Sequence, residues 1–189
     1  VGHLCEIAFK GKLTKMTDGD YDYQSVAMVG KDLLMKRVSM SAPADIYTMK
    51  AKAGSEVKQL TNENKHIFDQ RAIGKVEARW CKTVDGKDLH SWVVYPPHFD
   101  PAKKYPTLLY CQGGPQSPVS QFWSYRWNFQ LMAAQGYVVV APNRRGVPSF
   151  GQEWLDQISG DYSGQNIRDY LAAIDDVAKE KWCDKERLG

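Results

Sequence analysis

The sequence has 189 residues, of which 43% are apolar and 25% are charged, so it can bury the core of one or two globular domains. Its net charge is +3, and its basic residues form no cluster longer than a pair, which argues against a nucleic-acid-binding protein. No apolar run reaches the roughly 18 residues of a membrane-spanning helix, and the four cysteines have no metal-binding spacing, so we expect no membrane partner, metal or cofactor.

The N-terminal part is predicted to be all-β. The first residues, VGHLCEIAFKGK, are typical of neither a signal peptide nor a transit peptide. Short strand-like segments separated by turn signals follow at 4–9, 24–28, 33–38, 45–49 and 58–60. The segment GKLTKMTD from position 11 resembles GSEVKQLTN from position 54. The two segments are offset by about 44 residues, which is close to the period of about 40–50 residues that is typical of β-propeller blades. Two unrelated hairpins could also share such a pattern by chance.

A different pattern begins near residue 75. Residues 76–83 and 89–95 are predicted strands, and Asp85-Gly86 between them is a strong hairpin signal. We therefore predict two domains, an all-β region resembling the end of a β-propeller over 1–75 and an α/β region over 76–189.

The α/β region contains a predicted strand, helix and strand in succession. The apolar runs 107–111 and 137–142 have the composition of strands that are buried on both faces of a parallel sheet, and 123–135 is predicted as the helix between them. A second helix is predicted over 163–179, with Asp161 and Ser163 as candidate caps and Asp175 and Asp176 in solvent. The residues predicted to form its buried face are Ile167, Leu171, Ile174 and Ala178.

The turn after the first of these strands is the candidate functional site. In Gly113-Gly114-Pro115 the two glycines leave the backbone uncovered by side chains at the carboxyl edge of the sheet, where open α/β sheets bind ligands. In the α/β-hydrolase plan a backbone amide of this loop supplies half of an oxyanion hole, which makes Gln112 and Gly113 the candidate residues. The alternative is a tight turn without a catalytic role.

As an ordered set, the motifs of this chain resemble the prolyl oligopeptidase family of serine peptidases, in particular its dipeptidyl-peptidase and acylaminoacyl-peptidase branches. The resemblance implies the N-terminal half of an α/β-hydrolase domain, with a mixed and mostly parallel sheet, preceded by the last part of a β-propeller. It is carried by Asp85-Gly86, Leu89, Trp92, Pro96-Pro97, Lys104-Tyr105-Pro106, Gly113-Gly114-Pro115, Gly136-Tyr137, Val139, Pro142-Asn143, Arg145-Gly146, Phe150-Gly151, Asp184 and Arg187-Leu188-Gly189.

Two departures from the family pattern affect the expected site. The G-x-S-x-G motif of the nucleophile is absent, so the catalytic Ser, Asp and His are expected beyond Gly189, and the chain by itself is predicted to be an inactive fragment. Gln112 stands where relatives commonly have Tyr or His, although its amide can still donate a hydrogen bond. Arg145 is expected to hold the turn at the sheet edge, with substrate contact as the alternative. The histidines are interpreted as surface or strand residues: His3, His66, His90 and His98.

Three functions are compatible with these observations. The first is a serine peptidase that cleaves near the N-terminus of short peptides through an acyl-enzyme, and the second is an esterase or lipase of the same fold. The third is a non-catalytic β-propeller interaction module with a relic hydrolase domain. The first implies a peptide substrate and allows a homodimer of the full-length protein, in the bacterial periplasm or cytoplasm.

Overall fold

A computed structural model describes residues 1–8, 11–114 and 116–189. The chain forms two compact units. The first unit comprises Val1–Arg71 and Ser120–Asn128, and the second comprises Ala72–Val119 and Phe129–Gly189. Phe9, the end of the first predicted strand, and Pro115 of the Gly-Gly-Pro motif lie outside the described residues.

The first unit is built from antiparallel strands. The first two strands pair as a separate hairpin, and the next four form one sheet in which each strand pairs with the next along the chain. A short helix, α1 (Lys65–Phe68), follows them. The strands are β1 (Cys5–Ile7), β2 (Leu13–Lys15), β3 (Asp22–Val29), β4 (Asp32–Ser39), β5 (Ala42–Lys50) and β6 (Lys58–Gln59).

The sequence repeat corresponds to a repeated contact. In each copy the threonine near its end accepts a hydrogen bond through its side chain from a backbone N–H of an earlier segment. Thr17 accepts this bond from Leu4 and Thr61 accepts it from Ile46, both at 3.0 Å. The turn glycine of each copy has a positive φ, +80° in the first and +75° in the second. The two segments are therefore similar in their hydrogen bonding as well as in their sequence.

The segment 120–128 belongs to the first unit, although the predicted boundary near residue 75 placed it in the second region. The buried Gln121 side chain accepts a hydrogen bond from the backbone N–H of Met40 at 3.1 Å. The Trp123 ring packs edge-on against Phe68, with ring centroids 5.7 Å apart. These contacts span more than 50 positions along the chain, so no local pattern could indicate them.

The prediction of a helix from residue 123 was wrong for its first six residues. Helix α2 begins only at Phe129 and ends at Ala134. Before it, the Ser124 hydroxyl accepts hydrogen bonds from the backbone N–H groups of Arg126 and Trp127, at 3.2 and 2.9 Å. Serine side chains that bond nearby backbone in this way compete with helix formation, so residues 124–127 form a turn.

The second unit contains a five-stranded sheet with the order β11-β9-β10-β8-β7. β9 is parallel to both of its neighbours, whereas β8 is antiparallel to both of its own. The sheet is mixed but only half of its pairings are parallel, because the β7–β8 hairpin adds antiparallel pairs. The strands are β7 (Val76–Lys82), β8 (Asp88–Val94), β9 (Tyr105–Leu109), β10 (Val138–Pro142) and β11 (Cys183–Leu188).

The strand order reverses at β9. From β9 the chain crosses through α2 to β10 on one side, and it then returns through α3 (Gln152–Asp156) and α4 (Gln165–Val177) to β11 on the other side. Such a reversal opens a crevice at the carboxyl ends of the strands, which is where α/β sheets bind ligands. No helix among the described residues is long and apolar enough to cross a bilayer.

The buried face of α4 differs from the predicted one. Ile167 and Leu171 are 44% and 52% exposed, and Asp176, predicted in solvent, is half-buried and paired with Arg79 at 2.8 Å. The helix turns polar side chains inward because they have partners elsewhere in the unit. Its buried residues are Asn166, Asp169, Tyr170, Ala173, Ile174 and Val177. Asp161, one of the predicted caps, accepts a hydrogen bond from the backbone N–H of Gln165, the first helical residue.

Gly146 provides a test of packing beside the carboxyl edge. Its φ is +93°, and a Cβ would lie 2.6 Å from Ile158 Cβ and 2.7 Å from Arg144 Nη1. We expect Gly146→Ala to lower the free energy of unfolding by about 3 kcal/mol or more, since a left-handed backbone and overpacking each cost about 1–2 kcal/mol or more. Gly136→Ala is the matched control, with φ +92° and no atom within 4 Å, and should cost about 1 kcal/mol. Urea unfolding measures both, and equal losses would contradict the packing argument.

Candidate active site

The turn after β9 lies at the carboxyl edge of the sheet. The backbone N–H of Tyr110 donates to Val140 O at 2.8 Å, and beyond this bond the chain leaves the sheet. No hydrogen bond of the Gln112 or Gly113 backbone N–H is found among the described residues. Gly113 is exposed and has no atom within 4 Å of the place that a Cβ would take. Two successive backbone donors are therefore available at this edge.

The backbone carbonyl of Gln112 is held from α4. The Tyr170 hydroxyl, which is buried, donates a hydrogen bond to Gln112 O at 3.0 Å. Burial raises the pKa of Tyr170, and the nearby Arg144 cation, 6.0 Å from the ring centroid, opposes this shift. The hydroxyl thus keeps its proton at neutral pH and remains a donor. No motif in the sequence pointed to Tyr170, because its partner lies 58 positions away.

Arg145, in the loop after β10, lies at the centre of a charge network. Its Nε and Nη2 donate to the two oxygens of Asp169 at 2.8 and 3.0 Å, and its Nη1 and Nη2 donate to Asp85 at 2.9 and 2.8 Å. A further Nη1 bond reaches Gln157 at 3.2 Å. Burial by itself would lower the pKa of Arg145, but the hydrogen bonds to Asp85 and Asp169 raise it above its ordinary value. The bond from Arg145 lowers the pKa of Asp85.

This network bears on the two alternatives for Arg145. The Arg145 side chain is only 4% exposed, and its five N–H donors are matched by five hydrogen bonds within the second unit. Each donor of Arg145 has an acceptor within the second unit, and this favours the structural alternative over substrate contact. The sequence had not indicated Asp169, which is completely buried on α4.

The far end of the loop that carries Gln112 is also fixed. The Asn143 side chain accepts a hydrogen bond from Val119 N–H at 2.7 Å and donates one to Val119 O at 3.0 Å. The Trp92 indole donates to the same oxygen at 3.1 Å, and His90 Nδ1 lies 3.1 Å from the Asn143 amide nitrogen. His90 is thus a buried strand residue, in agreement with the sequence-based interpretation.

The remaining histidines have the following positions. His98 follows the end of β8, which is antiparallel to β10, so it lies at the opposite edge of the sheet. His3 and His66 belong to the first unit. In the part of the chain that the structure describes, no group of three or more His, Cys, Asp or Glu side chains is arranged to hold a metal ion.

Comparisons with known proteins found similar sequences over nearly the whole chain. The model of the prolyl oligopeptidase family matches residues 123–189. Dipeptidyl-peptidase 5 of Porphyromonas gingivalis is 52% identical over 188 residues, which are 99% of this chain and 27% of that protein. Dipeptidyl-peptidase 5 of Aspergillus fumigatus is 32% identical over 169 residues, covering 89% of this chain and 22% of that protein. The chain is thus similar to the prolyl oligopeptidase family over its C-terminal third and to dipeptidyl-peptidase 5 over nearly its whole length.

Solved structures extend the similarity to the fold of nearly the whole chain. Pyrococcus horikoshii acylaminoacyl peptidase superposes with a TM-score of 0.82 at 23% identity, over 96% of this chain and 28% of that one. Porphyromonas gingivalis dipeptidyl peptidase 4 superposes with a TM-score of 0.76 at 23% identity, over 99% of this chain and 27% of that one. The chain therefore spans about a quarter of the length of these family members.

The motif residues that carried the resemblance have identifiable contacts in this structure. Asp85 of the hairpin turn binds Arg145, and Trp92 and Asn143 together hold the backbone of Val119. Gly146 N–H donates to Trp154 O at 2.7 Å. The motif residues on β8, in the turn before it and in the loop after β10 thus hold the loops at the carboxyl edge.

Asp169→Asn tests whether the Arg145 network supports this edge. The substitution leaves the buried Arg145 cation without one of its two carboxylates, and breaking a buried pair costs about 3–5 kcal/mol. We expect a loss of that size in the free energy of unfolding, measured in urea at neutral pH. Asp175→Asn, at an exposed position of the same helix, is the matched control and should change stability by less than about 0.5 kcal/mol. A similar effect of both variants would rule out the network as the main support.

Proposed function

We propose that this chain is part of a serine peptidase that hydrolyses peptide bonds near the N-terminus of short peptides, through an acyl-enzyme. In this proposal residues 76–189 are the first part of an α/β-hydrolase catalytic domain, and residues 1–75 are the end of a β-propeller. The match to the family model and the names of the relatives, which are dipeptidyl and acylaminoacyl peptidases, support a peptidase.

The observation that carries the proposal is the turn at Gln112 and Gly113. Acyl transfer passes through a tetrahedral intermediate whose oxyanion needs hydrogen-bond donors that are already in position. The Gln112 and Gly113 N–H groups have no partner among the described residues, while Tyr170 holds the carbonyl between them. A donor held in this way loses little free energy to reorganisation during the reaction, so we assign these two residues to the oxyanion hole.

The position of β11 supports the same assignment. Gly189 N–H donates to Thr107 O at 3.0 Å, and Leu109 N–H donates to Gly189 O at 2.6 Å. β11 is parallel to β9, so a segment following Gly189 would leave the sheet beside the turn at Gln112. In α/β-hydrolases the residue after the nucleophile supplies the second oxyanion donor. We therefore place the nucleophilic Ser directly beyond Gly189, and the Asp and His later in the chain.

The first unit favours a peptidase over an esterase. Its four-stranded antiparallel sheet has the architecture of a propeller blade, and the repeated threonine contact supports a structural repeat. A propeller ahead of the catalytic domain would limit access to short chains, and that selection by size suits a peptidase. The proposed substrates are accordingly short peptides, and a homodimer of the full-length protein is a further proposal.

Activity of the full-length protein tests this function. We expect turnover of dipeptidyl or acylaminoacyl chromogenic substrates, inhibition by a fluorophosphonate, and labelling of a Ser within a G-x-S-x-G motif beyond Gly189. The 1–189 chain assayed alone should show no turnover, because only residual catalysis remains without the triad. Hydrolysis of simple esters without peptide hydrolysis would select the esterase, and a full-length protein without any labelled Ser would select the non-catalytic module.

Gln112→Ala separates the side chain from the backbone in the oxyanion hole. The substitution keeps the carbonyl that Tyr170 holds, so the turn should stay in place while the amide donor is lost. If the side chain donates, kcat of the full-length enzyme should fall by about 100- to 1000-fold with little change in KM. Gln116→Ala, at an exposed position of the same loop, is the control and should leave kcat unchanged. A loss below about threefold for Gln112→Ala would leave the backbone amides as the only donors.

A further inference from the structure

Arg37 is clamped between two tyrosine rings in the first unit. Its guanidinium carbon lies 3.9 Å from the centroid of the Tyr21 ring and 3.7 Å from that of Tyr47. Arg37 lies on β4, Tyr47 on the neighbouring β5, and Tyr21 just before β3. Both distances are well below the usual limit of about 6 Å for a cation–π contact, so they indicate close stacking.

The stack continues beyond Tyr21. Gly19 has a φ of +86°, and a Cβ at this position would lie 2.8 Å from the Tyr21 ring. Only a glycine lets the ring come this close to the backbone. Arg37 and both tyrosines are half-buried, so the stack is part of the packed surface of the first unit.

The guanidinium edge, in contrast to its faces, is unoccupied. No hydrogen bond or ion pair of Arg37 is found in residues 1–8, 11–114 and 116–189. None of its nitrogens is among the buried side-chain atoms that lack a partner, so the donors reach solvent. A guanidinium presents its donors in a planar fork that matches the two oxygens of a carboxylate. Stacking on both faces fixes that plane before any ligand arrives, which lowers the entropic cost of binding.

We propose that Arg37, held by Tyr21 and Tyr47, is a binding site for the α-carboxylate of a short peptide. The carboxylate forms a bidentate pair with the edge of the guanidinium. That the carboxylate belongs to a peptide rests on the proposed function. The preference for a carboxylate rests on the geometry of Arg37 and the two tyrosines alone.

The surrounding charge favours a monoanion over a phosphate dianion. Asp45 lies directly opposite Arg37 in the β4–β5 register, so its side chain is on the same face of the sheet. The Asp45 carboxylate is occupied by the Thr61 hydroxyl at 2.6 Å and the Glu63 N–H at 3.4 Å, and it does not pair with Arg37. A second negative charge on a ligand would meet this neighbouring anion, so the site is matched to one negative charge.

Arginine side-chain NMR on the 1–189 chain tests the proposal without any turnover. The probe is N-acetylglycylglycine, compared with its C-terminal amide and with inorganic phosphate at equal concentrations. We expect the free carboxylate to shift the Arg37 Nε–H signal saturably, with a dissociation constant in the roughly millimolar range of a single ion pair, and the amide to leave it unchanged. The signal is assigned by its loss in Arg37→Lys.

Two variants separate the clamp from general charge. Tyr47→Leu removes one stacked ring and should weaken binding by about two- to fivefold. Arg71→Lys, at an exposed arginine of the same unit, is the matched control and should leave the Arg37 shift intact. The backbone spectrum of each variant reports whether the fold is kept.

Three results would overturn the site: no shift of the Arg37 signal by the free carboxylate, an equal shift by the amide, or tighter binding of phosphate. The site would also be overturned if a carboxylate of the full-length protein itself occupies the clamp, so that the peptide does not shift the Arg37 signal. None of these outcomes bears on the peptidase proposal, since no catalysis is measured.

Discussion

The ion pair between Arg145 and Asp169 connects the elements that form the carboxyl edge of the second unit. It joins the loop after β10 to α4, and through Asp85 it adds the turn between β7 and β8. Removing two charges from water is costly, so a buried pair is tolerated only when nearly every donor and acceptor is matched. Arg145 meets this condition with five donors and five bonds, and its position is therefore tightly constrained.

The candidate site depends on residues that adjoin this pair in sequence. Tyr170 follows Asp169 on α4 and holds the carbonyl of Gln112, while Asn143 precedes the two arginines and holds Val119. The loop after β9 is thus fixed at both ends by elements that the ion pair positions. The two backbone donors assigned to the oxyanion flank the first of these ends, the Gln112 carbonyl. Preorganisation of this kind is how an enzyme stabilises developing charge without reorganising during the reaction.

Two arginines of this chain show how context decides the role of one side chain. Arg145 has every donor occupied by the protein, so it acts on structure alone. Arg37 has its two faces covered by Tyr21 and Tyr47, while its donors reach solvent, so it can act on a ligand. Charge and residue type are identical in the two cases. What differs is whether the neighbours offer acceptors or ring faces, and this decides between a fixed support and a binding site.

Patterns of local sequence were sufficient for much of the fold. The apolar run at β10, which is buried throughout, and the Asp85-Gly86 turn needed only their own residues, and the family motifs identified the serine peptidase relatives. The tertiary structure alone decided the buried face of α4 and the loop at 120–128. Periodicity indicates where apolar side chains are buried. Asp169, however, is buried because it pairs with Arg145, 24 positions away, and Gln121 is buried with a hydrogen bond from the backbone of Met40, 81 positions away. Contacts between such distant partners leave no local signal, because the free energy that selects them arises only when the chain has folded.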